Sequence, residues 1–348
     1  MTFQKKLLRW FEENQRPFPW RKNNDPYGVW LSEIILQQTR AAQGLPYFER
    51  FMATFPTVRQ LAEASEDRVL KLWEGLGYYS RARNLHATAR EILYRYGGEF
   101  PQDFEKIKGL KGIGDYTASA IASICFGQEQ AVVDGNVYRL LSRVFGIDVP
   151  IDTSGAHKIF KSKAQRLMKG AHPGDFNQAI MEFGALQCLP KNPSCEGCVF
   201  KNQCVAFQQG KVGALPVKAK KIKVSQRYLH FFVLTDGRKN TVLEKRENKG
   251  IWQNLYQFPL IETKESHEKV ENEAYLTLLR KHRVHGTPRL EKWNDHPIVH
   301  KLTHQTLEIH FWIVHIDQGK PLAISTLSIF DYPMPKVLQN FRDKFFIN

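Results

Sequence analysis

The spacing of hydrophobic residues divides the chain into two parts of different type. Over residues 1–207, apolar residues recur every three or four positions, as they do in residues 31–36, 69–73 and 118–126. That period predicts amphipathic or buried α-helices, and clusters of Asn, Asp, Pro and Gly separate the candidate helices. The first part is therefore predicted to be all-α.

The remaining chain has a strand-like pattern. Apolar, β-branched and aromatic residues alternate or run together in residues 228–234, 241–244 and 307–315, and each segment predicts a β-strand. One amphipathic helix fits residues 265–280. We therefore predict a smaller α+β domain over residues 225–348. The intervening residues 208–224 contain Gly, Pro and several lysines, a composition that is typical of a solvated linker.

Composition limits the possible function classes. Hydrophobic residues make up 42% of the chain, which excludes disorder as its main state, and no apolar run approaches the length of a membrane helix. The absence of a secretion signal favours a soluble, cytoplasmic protein with no membrane partner. Fifty Lys and Arg residues against 35 Asp and Glu give a net charge of +15. This excess predicts a polyanionic partner such as nucleic acid; a basic surface without a partner is the alternative.

Four of the five cysteines lie close together in the spacing C-x6-C-x2-C-x5-C; they are Cys188, Cys195, Cys198 and Cys204. Such a cluster in an intracellular chain indicates a metal site and not a disulfide framework. Zinc sites typically use two C-x2-C pairs, whereas only one is present here, so the spacing favours a [4Fe–4S] cluster over zinc. Purely structural cysteines are the third alternative. Cys125 is predicted to be a small buried hydrophobic residue.

A short Gly-rich hairpin lies in the middle of the first part. Its sequence, Leu-Lys-Gly-Ile-Gly, joins a short predicted helix to a longer one of small residues, so that the motif spans residues 104–125. Gly112 and Gly114 allow another backbone to come close, and N–H groups at the following helix start can bind a DNA phosphate. The alternative is an ordinary αα-hairpin with capping glycines.

Two carboxylates have contexts suited to catalysis. Glu33 lies in an apolar helical segment, and Asp134 follows Ala-Val-Val at a predicted helix start. Each has a simple structural explanation, a first-turn helix residue for Glu33 and an N-cap for Asp134. Together they also fit a pair in which the apolar carboxyl stays protonated and acts as an acid while the other stays ionised. Such a pair suits cleavage of a glycosidic bond.

The hairpin, the residues around Asp134 and the cysteine loop resemble helix-hairpin-helix DNA glycosylases with an iron–sulfur cluster. Within that superfamily, residues 30–39 and 75–84 resemble adenine DNA glycosylases, which remove adenine mispaired with 8-oxoguanine. Endonuclease III-type relatives carry a lyase lysine where this chain has Tyr116, so the resemblance implies a monofunctional glycosylase.

The resemblance implies a role for each matching residue. Glu33 would protonate N7 of the extruded adenine, and Asp134 would stabilise the oxocarbenium-like state. The remaining residues fall into three groups: catalytic support from Tyr116 and Asn136, insertion into the duplex by Gln38 and Tyr78, and an adenine pocket of Arg16, Trp20, Leu76 and Glu182.

The C-terminal part resembles a Nudix-like domain, with residues 250–259 fitting that pattern but without the Glu-rich signature of Nudix hydrolases. Leu302, Thr303 and His304 stand where the family usually has Phe-Ser-His, which implies that Thr303 and His304 contact the lesion. Alternatively, His304 is an ordinary surface residue of a β-strand with no role in binding.

These implications together describe a monomer that acts on double-stranded DNA containing A:8-oxoguanine or A:G mispairs, nucleoid-associated if the source is bacterial. Two other functions are compatible with the motifs. They are an iron–sulfur glycosylase for thymine or oxidised pyrimidines, and a non-catalytic iron–sulfur DNA-binding protein.

Overall fold

A computed structural model of the chain describes residues 1–219, 224–236, 240–263, 265, 272–316, 322 and 324–347. The helices are α1 (Phe3–Asn14), α2 (Pro26–Leu36), α3 (Ala41–Thr54), α4 (Val58–Glu63), α5 (Glu66–Leu72), α6 (Ser80–Tyr96), α7 (Phe104–Lys108), α8 (Asp115–Phe126), α9 (Gly135–Phe145), α10 (Ala156–Met168), α11 (Pro173–Leu186), α12 (Val205–Gln208), α13 (Asn272–Lys281) and α14 (Lys336–Phe346). The strands are β1 (Ser225–Asp236), β2 (Glu244–Lys245), β3 (Tyr256–Gln257), β4 (Leu260–Thr263), β5 (Arg289–Lys292), β6 (Ile298–Lys301) and β7 (Gln305–Ile316). Across these described ranges, no helix has the length and apolar character needed to cross a bilayer.

The chain forms two compact units that do not follow the sequence order strictly. The helical unit comprises Met1–Glu63 and Asn84–Lys220, and the mixed unit comprises Ala64–Arg83 and Lys221–Asn348. From the sequence we assigned residues 64–83 to the helical part. They group with the C-terminal part because several of their polar side chains, Glu74 and Tyr79 among them, hydrogen-bond to it. The all-α and α+β fold classes themselves are confirmed.

Helix α11 is the centre of the helical unit and packs against α1, α8 and α9. Its aromatic residues Phe176 and Phe183 are fully buried. A Cβ atom at Gly184 would lie 2.5 Å from Cβ of Asn136, so the glycine allows the start of α9 to lie directly against α11. This close approach brings residues of three helices to one side of α11.

The predicted linker is mostly exposed but is attached to the helical unit at a few points. The side chain of Arg143 donates a hydrogen bond to the carbonyl of Leu215 (3.1 Å), and the backbone N–H of Ile151 donates to the carbonyl of Val217 (3.0 Å). Leu215 is buried. Most of residues 208–219 are exposed, as expected of a solvated segment, but Leu215 and main-chain groups of Leu215 and Val217 are attached to the helical unit. Residues 220–223 lie outside the described residues.

The mixed unit is built on one sheet in the order β4-β1-β7-β5, with β6 also paired to β7. Strands β1 and β7 are parallel along their whole length, and both are buried through their middle residues. Helix α14 covers one face, where Phe341 stacks on Phe311 at 4.0 Å between ring centroids. Helix α13 covers the other face through Leu278 and Leu279. Burial on both faces explains the near-continuous apolar runs of these strands.

The predicted strands over residues 228–234 and 307–315 are confirmed and extended by the structure. Of residues 241–244, Thr241 forms only isolated bridges and Glu244 begins a two-residue strand. The predicted helix over residues 265–280 is found as α13 from Asn272 onward, and residues 266–271 lie outside the described residues.

The close contact at Gly184 makes a stability prediction. We expect Gly184→Ala to lower the free energy of unfolding of the helical unit by about 1–3 kcal/mol, because the added methyl group must displace Asn136 and the backbone behind it. Chemical denaturation followed by circular dichroism measures the change. Gly213→Ala is the control, since a Cβ at that exposed glycine meets no atom within 4 Å. Equal stability of the two variants would contradict the packing argument.

Candidate active site

A cleft of about 980 Å³ in the helical unit brings together most of the residues singled out from the sequence. It is bounded by the ends of α2, α8, α9 and α11, which meet because α11 packs closely against its neighbours. Among the residues that line it are Arg16, Trp20, Glu33, Gln38, Tyr116, Asp134, Asn136 and Glu182.

Glu33 is a buried carboxyl in the middle of an apolar helix. Asp25 caps α2 by accepting hydrogen bonds from the backbone N–H groups of Tyr27 and Gly28, so Glu33 lies two turns inside the helix and not in its first turn. Burial is the largest cause that raises the pKa of Glu33, to about 7. The nearby charge of Asp134 raises it further, and a hydrogen bond with Tyr116 opposes the shift. Glu33 can therefore carry a proton near neutral pH.

Tyr116, the second residue of α8, is the direct neighbour of Glu33. Its hydroxyl hydrogen-bonds with the carboxyl of Glu33 and lies 3.2 Å from Sδ of Met181. Burial and the charge of Glu33 keep the pKa of Tyr116 well above its ordinary value. The phenol therefore stays protonated and can orient the carboxyl. An aliphatic amine is not present at this position.

Asp134 is the N-cap residue of α9, as one of the two sequence-based explanations expects. Its Oδ1 accepts hydrogen bonds from the backbone N–H groups of Asn136 (2.9 Å) and Val137 (2.8 Å), and its Oδ2 accepts one from Nδ2 of Asn136 (2.7 Å). Burial raises the pKa of Asp134 above its ordinary value, and these three N–H donors oppose the rise without cancelling it. The helix start thus holds the carboxylate in a fixed orientation, and its donors act against the effect of burial.

Arg139 connects this carboxylate to the cysteine loop, and we did not identify it from the sequence. Its guanidinium donates to Oδ1 of Asn136 (2.7 Å) and to the carbonyls of Gly184 (2.6 Å) and Cys188 (2.7 Å). One helical turn later, Arg143 donates to the carbonyl of Leu189 (2.7 Å). The sequence feature that could have indicated this role is a pair of arginines, four residues apart, on a largely apolar helix face shortly after Asp134.

Glu182 forms a buried ionic cluster at another wall of the cleft. Arg16 holds it in a two-pronged contact at 2.7 and 2.8 Å, and Arg21 contacts it at 3.0 and 3.3 Å. Burial opposes ionisation, but the two guanidinium groups prevail and lower the pKa of Glu182 to about 2. The ring of Phe18 lies under both arginines. Unlike Glu33, this carboxyl is held as an anion at neutral pH.

The predicted hairpin is confirmed as α7, a turn and α8. Gly112 has a φ of +76° and packs against Asn84, while a Cβ at Gly114, the N-cap of α8, would meet no atom within 4 Å. Asp115, the first residue of α8, forms ion pairs with Lys108 and Lys161 that join the hairpin to α10. The open side at Gly114 leaves room for another molecule to approach the start of α8.

The four clustered cysteines lie in one loop and affect one another electrostatically. The thiols of Cys188 and Cys204 both contribute to raising the pKa of Cys195 and Cys198, although burial is the main cause. Within the residues that the structure describes, no three His, Cys, Asp or Glu side chains converge as ligands of a single metal ion. Four thiols in one loop are nonetheless the donor type that a [4Fe–4S] cluster takes. Cys125 is only partly buried, and burial raises its pKa to about 12.

The remaining predicted residues belong to the mixed unit. Tyr78 is 48% exposed and has a φ of +48°, and its hydroxyl hydrogen-bonds with that of Thr303 in the β6–β7 turn. His304 is also exposed in this turn. Leu76 is buried within the same unit as Tyr78 and is not among the residues that line the cleft of the helical unit.

Comparisons with known proteins agree with this site. Residues 31–169 match the HhH-GPD superfamily of base excision DNA repair proteins, and residues 230–344 match the NUDIX domain. The chain is 32% identical over 317 residues to an adenine DNA glycosylase of Buchnera aphidicola subsp. Baizongia pistaciae (strain Bp), an alignment that covers 90% of this chain and 86% of that protein. The chain belongs to the adenine DNA glycosylase family. Members of this family are base-excision repair hydrolases that cleave N-glycosidic bonds.

Three further comparisons place the family membership in context. The adenine DNA glycosylase of Rattus norvegicus is 44% identical over 228 residues, which cover 62% of this chain and 44% of the rat protein. A solved thermostable thymine-DNA glycosylase is 30% identical with a TM-score of 0.56, covering 60% of this chain and 95% of that one. A solved endonuclease III–DNA complex, at 18% identity and a TM-score of 0.52, covers 60% of this chain and 94% of that one and shares the fold.

The raised pKa of Glu33 makes stability depend on pH in a defined direction. Between pH 4.5 and about 7 the folded protein holds a proton on Glu33 that the unfolded chain has lost, so stability falls as pH rises through this window. We expect Glu33→Gln to be more stable than the parent by about 3 kcal/mol above pH 7 and to lose this advantage below pH 4.5.

Thermal unfolding of both proteins across this pH range measures the difference. Glu182→Gln is the control of opposite sign: its parent carboxyl has a lowered pKa, so the variant should be the less stable protein above pH 4.5. A Glu33→Gln advantage that does not change with pH would show that the carboxyl has an ordinary pKa.

Proposed function

We propose that this protein hydrolyses the N-glycosidic bond of adenine mispaired with 8-oxoguanine or guanine in double-stranded DNA. The observation that carries the proposal is the pair of carboxyls in one cleft with different environments: Glu33 in an apolar one that favours its proton, and Asp134 at a helix start whose N–H donors favour its charge against the effect of burial. Acid-assisted departure of a base through an oxocarbenium-like state needs these two properties together.

In the proposed reaction, Glu33 donates its proton to N7 of an adenine that has left the base stack. The bond between N9 and the sugar then breaks, its electron pair stays on the base, and neutral adenine leaves. Asp134 stabilises the cationic sugar, oriented by Asn136. A water molecule attacks the sugar carbon and gives up a proton to the Glu33 carboxylate, which restores the acid. Tyr116 holds Glu33 in orientation throughout.

The rest of the cleft is suited to holding the extruded base. We assign Trp20 to stacking against the purine, and the Arg16–Glu182 ion pair to its polar edge. The hairpin at Gly112 and Gly114 binds a phosphate through backbone N–H groups, and Gln38 and Tyr78 enter the duplex. Thr303 and His304 read the lesion: a hydroxyl can accept the N7–H that distinguishes 8-oxoguanine from guanine. The enzyme acts as a monomer on chromosomal DNA, in the cytoplasm or nucleoid if it is bacterial.

The four cysteines of the loop would hold a [4Fe–4S] cluster as thiolates. When bound, it would cross-link residues 188–204 through four iron–sulfur bonds and so fix the loop that Arg139 joins to Asn136. In this proposal, Lys191 and Lys201 of the loop are candidates to contact DNA phosphate, Lys201 in exchange for its ion pair with Glu196.

A single-turnover assay of base release tests the proposal. Duplexes carrying A opposite 8-oxoguanine, G or T are each mixed with excess enzyme, and the released base is identified by mass. We expect adenine from the two mispairs and none from A·T. The likeness to a thymine-DNA glycosylase favours one alternative, a pyrimidine-lesion enzyme, so G·T is included. Release of thymine instead of adenine would assign that function, and no release with retained binding would assign a binding protein.

The proposed roles of the two carboxyls predict distinct kinetic effects. We expect Asp134→Asn and Glu33→Gln each to slow adenine release by at least about a hundredfold, since each removes charge or proton transfer from the transition state. The parent rate should fall as pH rises through about 7, where Glu33 loses its proton. Glu13→Gln, an exposed carboxyl on α1, is the matched control. Parent-like turnover of Asp134→Asn would refute its assignment.

A further inference from the structure

The turn that carries Tyr78 has a backbone that requires external support. Gly75 and Gly77 have φ values of +93° and +73°, and Tyr78 itself has a φ of +48°. A tyrosine in the left-handed region is uncommon and costs free energy, so such a conformation persists only where surrounding contacts impose it. Tyr78 is nevertheless half-exposed, and few contacts of its own side chain can impose the conformation.

Contacts within the turn account for its shape. Nε1 of Trp73 donates to the carbonyl of Gly77 at 3.0 Å, and the guanidinium of Arg81 donates to the same carbonyl at 3.2 Å. The Arg81 guanidinium also lies 5.1 Å from the Trp73 ring and 5.7 Å from the Tyr78 ring. All these groups belong to residues 73–81, so they set the curvature of the turn but not its position on the mixed unit.

Close to Tyr78, two side chains of the turn are hydrogen-bonded to the backbone of one distant residue, Met334. Oε1 of Glu74 accepts a hydrogen bond from the Met334 N–H at 2.9 Å, and the hydroxyl of Tyr79 donates to the Met334 carbonyl at 3.1 Å. Glu74 and Tyr79 flank Tyr78 on both sides in sequence. Met334 is fully buried and Tyr79 nearly so, which shields their hydrogen bond from competing water, and the bond to the half-buried Glu74 is partly shielded.

Met334 is itself a rigid support. Pro333 and Pro335 flank it and restrict the backbone, and α14 begins directly afterwards. Gln339 in the first turns of α14 donates to the same Met334 carbonyl at 2.6 Å. Because α14 packs on the sheet through Phe341, the support of the turn is continuous with the core of the mixed unit.

We infer that Glu74 and Tyr79 are positioning residues that hold Tyr78 through Met334 so that it faces Thr303. The C-terminal part of the chain then has two tasks: it contacts the lesion, and it fixes the residue that enters the duplex. The inference rests on the proposed function for the role of Tyr78. Met334, Glu74 and Tyr79 then supply the contacts that hold the strained backbone of Tyr78 in place.

The test measures insertion of Tyr78 separately from base release. In the test duplex, 8-oxoguanine is paired with a 2′-fluorinated deoxyadenosine that resists cleavage. A 2-aminopurine lies next to the 8-oxoguanine in the same strand, and its fluorescence rises when protein binding unstacks the bases. We expect Glu74→Ala combined with Tyr79→Phe to lose most of the fluorescence rise. The same variant should release adenine from A opposite 8-oxoguanine at least about tenfold more slowly, because Tyr78 is no longer held in place.

Two further variants separate positioning from folding. Glu74→Gln, made alone in the parent protein, keeps an oxygen that can accept from Met334. Its fluorescence rise and its release rate should therefore stay within about twofold of the parent values. Tyr79→Phe alone removes one hydroxyl from a buried ring and should slow release by about fivefold. Tyr275→Phe is the control in the same unit, because its hydroxyl has no hydrogen-bond partner among the described residues.

The outcomes are distinct. A parent-like fluorescence rise and release rate in a folded double variant would overturn the inference. Loss of both signals in Glu74→Gln would overturn it as well. If the parent protein releases no adenine from any duplex, the proposed function fails, and the fluorescence arm still decides whether Met334 holds Tyr78.

Discussion

The candidate active site depends on the burial of one ionisable group, the carboxyl of Glu33. Removing a charged carboxylate from water costs free energy. Glu33 avoids this cost because it keeps its proton up to about pH 7. Burial also raises the pKa of Asp134, but this carboxyl accepts three hydrogen bonds from N–H donors at the start of α9, which oppose the rise. Two carboxyls of the same chemistry thus have different environments within a single cleft.

The fold supplies these two environments through close helix packing. Glu33 is two turns inside α2, where it has apolar neighbours, while Asp134 is at a helix end, where backbone donors are unpaired. The absence of a side chain at Gly184 lets α9 lie against α11, and Arg139 then ties Asn136 to the carbonyl of Cys188. The site and the cysteine loop are therefore mechanically connected through one buried guanidinium.

Local patterns were sufficient for the elements of the fold and for most of the cleft. The two carboxyls, the hairpin and the cysteine loop each have a short sequence signature, and the structure brings Glu33, Asp134 and Tyr116 into one cleft. The association of residues 64–83 with the C-terminal part could not be predicted, because it depends on pairs such as Glu74 and Met334 that are 260 positions apart and leave no periodic trace. The role of Arg139 could not be predicted for the same reason, because its contacts with Gly184 and Cys188 also join residues that are far apart in the sequence.

A direct titration of Glu33 tests most sharply whether this carboxyl keeps its proton near neutral pH. Carbon-13 NMR of protein with labelled glutamate carboxyls, with the Glu33 signal assigned by its loss in Glu33→Gln, gives the pKa without reference to activity or DNA. We expect a midpoint near pH 7 for this signal. A midpoint at the ordinary glutamate value would mean that the carboxyl is hydrated and ionised at neutral pH, and Glu33 could not then be the acid.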